Sequence, residues 1–339
     1  MIVTKESYLK REVELRKNAP SSIELVSESS LALSSIAVGD PKASNGAFVY
    51  GELVSPAGEQ VDGLKVEVAG GAPVSPIYVD DNGIPNRELA TTGARGQFML
   101  LNLAPGTYLV TVTDALGRER APHVVYVGQH EGIVRKFSLG AQSFVRGRIF
   151  NATANGAAVD GAQIQLLGSQ KTAMSASDGR FVLGPLYVDC SSLNYVQVEK
   201  TGFYRNRVDY ACSGADEPEH SIYVFPAAHV DGIAADAGTR LSPSTGVIVG
   251  HASFNQPVKM QLWGPEETQP DNGGRGNDYY FDADGVINAQ RDRTSTNGNF
   301  GIINTPEGIS YIQAFDSNGR TLSYWPIFTS ASTVNAYVQ

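Results

Sequence analysis

Short runs in which apolar and polar residues alternate, separated by Gly-bearing turns, fill most of this chain. Val61-Asp-Gly-Leu-Lys-Val-Glu-Val68, Val159-Asp-Gly-Ala-Gln-Ile-Gln-Leu166 and Tyr195-Val-Gln-Val-Glu199 are examples. Period-2 alternation bounded by turns is the mark of half-buried strands and, many times repeated, of β-sandwiches. The pattern recurs on a larger scale. A Val/Ile-x-Gly strand start appears as Phe48-Val-Tyr-Gly51, Phe144-Val-Arg-Gly147 and Val247-Ile-Val-Gly250, and each is followed downstream by a Gly-x-Phe turn at Gly96–Phe98, Gly179–Phe181 and Gly298–Phe300. The first and third copies share one register: Tyr78 and Tyr280, Phe98 and Phe300, and Gly117 and Gly319 are each 202 positions apart. The middle copy lacks the Tyr-x-Asp-x-x-Gly insertion and replaces the Pro105-Gly106 turn with a loop holding Cys190.

These motifs resemble the carboxypeptidase regulatory-like domains, whose fold is a transthyretin-like β-sandwich. The first copy carries the likeness best, through Thr92, Gly96, Phe98, Leu103, Pro105, Gly106 and Tyr108. The third departs at Glu307 and lacks Val-Asp-Gly; the second lacks Pro-Gly. The resemblance implies an all-β chain of three tandem Greek-key sandwiches and an accessory module of extracytoplasmic or cell-surface proteins, without catalysis of its own. The expected organisation is an N-terminal arm over 1–45, sandwiches over 46–140, 141–229 and 246–339, and a connector over 230–245. Within the arm, charge-dense Ser7 to Lys17 suits a short exposed helix. Ser22–Val26 and Leu31–Val38 look extended and β-capable. The recurring Phe98, Phe181 and Phe300 are expected to plug the cores, each burying on the order of 2–3 kcal/mol of apolar surface. Gly83, Gly117, Gly285 and Gly319 follow Asp or Asn at turns that favour positive φ.

Composition narrows the function. In 339 residues, charged residues make 18%, below the roughly 25% of an average globular chain, and 26 Lys+Arg against 35 Asp+Glu leave a net charge of −9. An acidic surface repels phosphate backbones, so nucleic acid is not an expected partner. No apolar run reaches the length of a membrane span, and Met1–Pro20 is charged throughout, unlike a signal sequence. Cys190 and Cys212 lie symmetrically about residue 201, the turn between Tyr195–Glu199 and Arg207–Ala211. An antiparallel hairpin there would bring the two thiols together, so a disulfide and an oxidising compartment are expected, with two buried free thiols as the alternative.

Candidate chemistry is sparse. Gly-x-Ser-x-Gly, HExxH and phosphate-loop strings are missing, and Gly273-Gly-Arg-Gly276 sits in a polar tract that reads as a loop. His123, His130, His220, His229 and His251 never stand at metal-ligand spacing, and no residue set matches the Tyr/His iron site of the related intradiol dioxygenases. No cofactor is expected, with calcium the one exception to weigh. Asp282 and Asp284, near Asp278 and Asp292, are candidate ligands for it. The EF-hand register fails, because Gly285 at position six puts Arg291 at position twelve, and Asx turns account for the same residues. Lys65 and Lys259 fall in strands of the better-matched copies and alternate outward, away from the buried site that a Lys–Asn isopeptide bond needs. Asn151-Ala-Thr153 is a glycosylation sequon if it lies on a surface turn.

Two functions are weighed. In the first, the chain is a non-catalytic extracytoplasmic structural or adhesive subunit whose partners are copies of itself or other surface proteins. Its arm would add a strand to a neighbour's sheet edge. In the second, it is a carbohydrate-binding accessory module in which Trp263, Tyr280 or Trp325 stacks on sugar rings. Core packing is the competing explanation for those aromatic residues.

Overall fold

The computed structural model describes the chain apart from residues 1, 4, 10, 13–24, 40–45, 71–72, 154–155, 211, 213–218, 265–276, 284–286, 289 and 339. The described chain is almost entirely β and divides into two compact units, residues 1–143 with 185–194, and residues 144–184 with 195–339.

The first unit begins with β1 (Ile2–Val3), β2 (Arg11–Glu12) and helix α1 (Glu28–Ala37). A sandwich follows, made of β3 (Ala47–Val54), β4 (Lys65–Ala69), β5 (Ile77–Val79), β6 (Pro85–Asn86), β7 (Gln97–Leu103), β8 (Gly106–Thr113), β9 (His123–Val127) and β10 (Gly132–Ser138). Its two sheets run β10-β3-β7-β5-β6 and β4-β8-β9. Between them lies one core in which Val49, Leu53, Phe98, Tyr108, Val110 and Phe137 are all but fully buried.

The second unit contains β11 (Ala141–Asn151, from Phe144 on), β12 (Gln163–Leu166), β13 (Thr172–Met174), β14 (Arg180–Val188, as far as Gly184), β15 (Tyr195–Glu199), β16 (Arg205–Asp209), β17 (His220–Val224) and helix α2 (Ala227–Asp236). It ends with β18 (Gly246–His251), β19 (Lys259–Trp263), β20 (Asn277–Tyr280), β21 (Asn299–Thr305), β22 (Gly308–Phe315), β23 (Thr321–Thr329) and β24 (Thr333–Val338). The middle repeat pairs β14-β11-β17 against β12, β13, β15 and β16; the third pairs β19-β22-β23 against β18, β20, β21 and β24. These two repeats are not separate sandwiches, because β16 hydrogen-bonds in parallel to β24, from Arg205 opposite Thr333 to Val208 opposite Ala336. One sheet of eight strands results, in the order β13-β12-β15-β16-β24-β18-β21-β20. The junction gives each of two edge strands a partner, which removes two open rows of backbone donors and acceptors.

The repeat motif has a steric cause. A Cβ on Gly51 would lie 2.2 Å from the Phe98 ring and one on Gly250 would lie 2.4 Å from the Phe300 ring; one on Gly147 would lie 2.3 Å from the His220 carbonyl oxygen and 3.0 Å from the Phe181 ring. None of the three glycines has positive φ, so at Gly51 and Gly250 glycine stands because the aromatic ring of the next strand takes the space of a side chain, while at Gly147 the His220 carbonyl of the paired strand is the closer obstacle and the Phe181 ring the second. A hydroxyl pin recurs alongside. Thr92, Ser175 and Thr294 accept hydrogen bonds from the backbone N–H of Leu64, Ala162 and Val258. The 202-residue register reaches even the unusual backbone: Asn102 and Asn304, and His130 and Ser332, all have φ between 52° and 59°.

The arm differs from expectation. The expected helix over Ser7–Lys17 is not seen where it is described: Arg11–Glu12 pairs as a strand with Ile2–Val3, and 13–17 lie outside the described residues. The helix falls instead on the Ser-rich stretch read as extended. Ser27 caps it by accepting from the Ser30 N–H, and Glu28 sits in its first turn, where the helix dipole favours an anion. Leu31 and Val38, together with Leu9 and Val26, then pack on the outer face of the β3-β7-β5 sheet, against Phe48, Ile77, Val79, Met99 and Leu101. The first part of the expected connector 230–245 is likewise helical, since α2 runs to Asp236. Val230, Ile233 and Ala234 of α2 cover the corresponding face of the third repeat, against Val247, Tyr279 and Ile303. Each helix starts nineteen residues ahead of its first strand, at 28 before 47 and at 227 before 246, so the helix belongs to the repeat.

Candidate functional site

The aromatic candidates for sugar stacking are mostly core residues. Tyr280 is 1% exposed, and its hydroxyl accepts the Met260 N–H at 2.9 Å, as Tyr78 does from Val66 in the first repeat. Trp325 is also buried, in the cluster with Phe300 and Ile312. Neither offers a face to a ligand. Trp263 is half-buried with its ring 6.5 Å from Phe315. Alternation alone cannot tell the inward from the outward aromatic of a two-layer fold, and here the inward one won.

The calcium candidate fares similarly. The Asp282 carboxylate is bound by the Arg291 guanidinium and by Asn288, hydrogen bonds that hold it below the usual carboxylate range, and a cation already occupies that side of it. Asp284 lies outside the described residues. Among the described residues no three metal-binding side chains converge. Asp80, Asp114 and Asp316 each accept backbone N–H groups two and four residues ahead, the Asx turns anticipated at these glycine-bearing corners. Lys65 is exposed and pairs with Glu67. Asn151 of the sequon is half-buried, its side chain accepting from the Thr153 N–H and hydroxyl.

Cys190 and Cys212 are both disulfide-bonded, and they are the chain's two cysteines, so the expected bridge is present. The hairpin that frames it is also present. Tyr195 lies opposite Asp209 and Gln197 opposite Arg207, around a turn at Gly202.

Two buried polar clusters escaped the sequence reading. The first gathers on the loop that holds Cys190. His123, 1% exposed, donates from Nε2 to the Ser138 carbonyl at 2.9 Å, which leaves Nδ1 facing the Ser192 hydroxyl at 3.2 Å. That hydroxyl donates to Asp189 at 2.5 Å and accepts from Arg135 at 3.1 Å. Ser, His and Asp are all present, but the order is wrong for nucleophile activation, since the carboxylate holds the serine and the imidazole is spent on a carbonyl. What the cluster does is fix the loop: Asp189 also takes the Ser191 N–H and hydroxyl, and Asn194 donates to the Asp189 carbonyl. Burial, reinforced by the Arg135 charge, pushes the His123 imidazole well below the usual histidine range, against the pull of Asp189. Folding therefore holds a neutral imidazole that the unfolded chain protonates near pH 6.5, so this contribution is complete above that pH and is lost as the pH falls below it. Urea unfolding should give a stability on the order of 1–2 kcal/mol lower at pH 5 than at pH 7.5. His123→Gln should shrink that difference, and an unchanged pH profile in the variant would count against the assignment.

The second cluster lies in the eight-stranded sheet. Arg207, buried at 4% exposure, donates to Ser330 at 2.7 Å and to Gln197 at 3.2 Å and lies over the Phe328 ring. Burial pulls its guanidinium down to about 10. Strand alternation gave no sign of it, because the cover comes from Phe328 and Ser330 at the end of β23, more than a hundred residues away in the chain. A cavity of about 170 Å³ nearby in the same unit is lined by Tyr204, Leu241, Ser242, Thr245 and Ser332, among others. That is below the roughly 300–1,000 Å³ of small-molecule pockets.

The remaining feature is a bare sheet. On the outer face of β14-β11-β17, Phe144 is 39% exposed and Val182 58%, whereas their counterparts Phe48 and Met99 in the first repeat lie under α1 at 4% and 1%. Tyr223 is exposed beside half-buried Phe150, with ring centres 5.7 Å apart. Arg146 lies against Phe144, Arg148 pairs with Glu219, and Arg180 lies near Asp178 and Glu219. Only two residues separate the end of β10 from the start of β11, so the chain has no room there for a covering helix.

No family model matches the sequence, and no curated protein matches it. Among solved structures, a streptococcal ancillary pilin aligns at 13% identity with a TM-score of 0.25, over 66% of this chain and 72% of that one. The Bacillus anthracis TIE protein aligns at 11% identity and a TM-score of 0.21, over 87% of this chain, which spans about half (50%) of its length. BcpA, the major pilin subunit of Bacillus cereus, aligns at 13% identity and a TM-score of 0.18, over 86% and 98% of the two chains. Scores this low leave fold and function to be argued from the chain's own geometry.

Proposed function

We propose that the chain is a non-catalytic structural or adhesive subunit of an extracytoplasmic surface that assembles with copies of itself. The observation that carries this reading is the eight-stranded sheet, which joins two repeats through backbone hydrogen bonds in place of a flexible linker. A disulfide supports an oxidising compartment. The polar clusters are spent on holding loops and strands in place, and the cavity that Arg207 lines with Tyr195, Phe328 and Asn335, about 10 Å³, has room for no more than about one water. No helix among the described residues is long and apolar enough to cross a membrane. Assembly by strand addition through the arm is not retained, since Glu28–Ala37 is a helix packed on its own sheet and residues 22–24 lie outside the described residues. Nor does the buried state of Tyr280 and Trp325 favour sugar binding. Light scattering on the full chain over a rising concentration series should show mass growing beyond one chain; a constant monomer mass overturns the proposal.

A further inference from the structure

We infer that the bare outer face of β14-β11-β17 receives helix α1 of a second copy of this chain. The inference deepens the self-assembly reading and rests on it. Its ground is internal. This fold covers that same face with a ten-residue helix in the first repeat and again in the third, and the middle repeat keeps apolar residues there with no helix of its own among the described residues.

Helix α1 has the second surface the contact needs. Its inner side, Leu31 with Ser35, is buried on its own sheet, while Leu33 and Ile36 on the other side are 68% and 67% exposed. Two large aliphatic residues three apart make one strip on a helix, and Glu28 in the first turn is exposed as well. The bare sheet offers Phe144, Val182 and Tyr223 as apolar ground. Among the described residues, Arg146 there has no carboxylate partner, which suits Glu28 and a chain of net charge −9. The two patches differ, one in each unit, so the contact is heterologous: each copy can give its helix to one neighbour and its sheet to another. Such contacts close into rings or run on as filaments.

The test uses two lysine substitutions at exposed positions, Leu33→Lys on the helix and Val182→Lys on the sheet, in the full chain. Sedimentation velocity should show the parent chain growing past dimer with concentration, and each variant alone held at monomer mass over at least a tenfold wider range. An equimolar mixture of the two variants keeps one intact helix and one intact sheet, so it should form dimers and stop there. Unchanged thermal unfolding shows that the variants fold; if one does not, Ile36→Lys and Tyr223→Lys replace the pair. A mixture that stays monomeric, or a Leu33→Lys chain that assembles like the parent, overturns this interface. If both variants still assemble, self-assembly stands and only this contact falls, whereas a parent chain that is monomeric throughout defeats both.

Discussion

Phe300→Ala should lower stability by about 3–5 kcal/mol, the cost of emptying a fully buried aromatic site. Phe300 is 0% exposed at the centre of the third repeat's core. The more instructive variant is its neighbour. Gly250→Ala adds a single carbon that would stand 2.4 Å from the ring, and overpacking of this kind costs about 1–3 kcal/mol. Because Gly250 has no positive φ, backbone freedom is not the reason for glycine, and the two losses should not add. Gly250→Ala combined with Phe300→Leu should recover a good part of the glycine variant's loss, since the smaller side chain vacates the space. Urea unfolding of the two singles and the double decides it. Strict additivity would mean that ring and glycine act independently and that the steric account of the repeat motif is wrong. The same experiment on Gly51 and Phe98 should behave alike, with less recovery, since the Phe137 ring also lies 2.9 Å from the added carbon.

Cys212→Ser should cost about 3 kcal/mol, the value expected when a bridge closes a loop of some twenty residues. The residues enclosed between Cys190 and Cys212 include the β15–β16 hairpin, and β16 is the strand that carries the junction with β24. Reduction should therefore loosen more than the local loop. Hydrogen exchange at Arg205–Val208 should rise in the variant and in the reduced parent, while exchange in β7 and β8 stays as it was. Equal protection in the oxidised and reduced forms would confine the bridge to a local role.

The strands, their repeat and the cysteine hairpin were legible because each leaves a local signature: alternation, a Gly–Phe pair at fixed spacing, two thiols symmetric about a turn. The helices were not. In α1 the inward stripe runs Leu31, Ser35, Val38, and a buried serine, its hydroxyl donating to the Leu31 carbonyl, erases the apolar period at its middle. In α2 the inward residues include Ala234, whose side chain is the same as that of its exposed neighbours Ala228 and Ala235. The parallel β16–β24 pairing joins residues more than a hundred positions apart and has no turn between them to betray it. For the candidate sites the trouble was direction. Tyr280 and Trp325 carry the apolar bulk a core requires and the flat rings a sugar site uses, and sequence alone does not say which sheet lies over them. His123 and Arg207 look like ordinary polar members of strands; what buries them is a loop in one case and the distant end of β23 in the other.

That shared sheet also decides how the molecule comes apart. Strands β16 and β24 are each interior to the eight, so melting either repeat alone would expose a row of backbone groups on the survivor and strip Arg207 of its cover. The middle and last repeats thus stand or fall as one cooperative block. Heat or pulling should release the chain in two events, although its sequence counts to three.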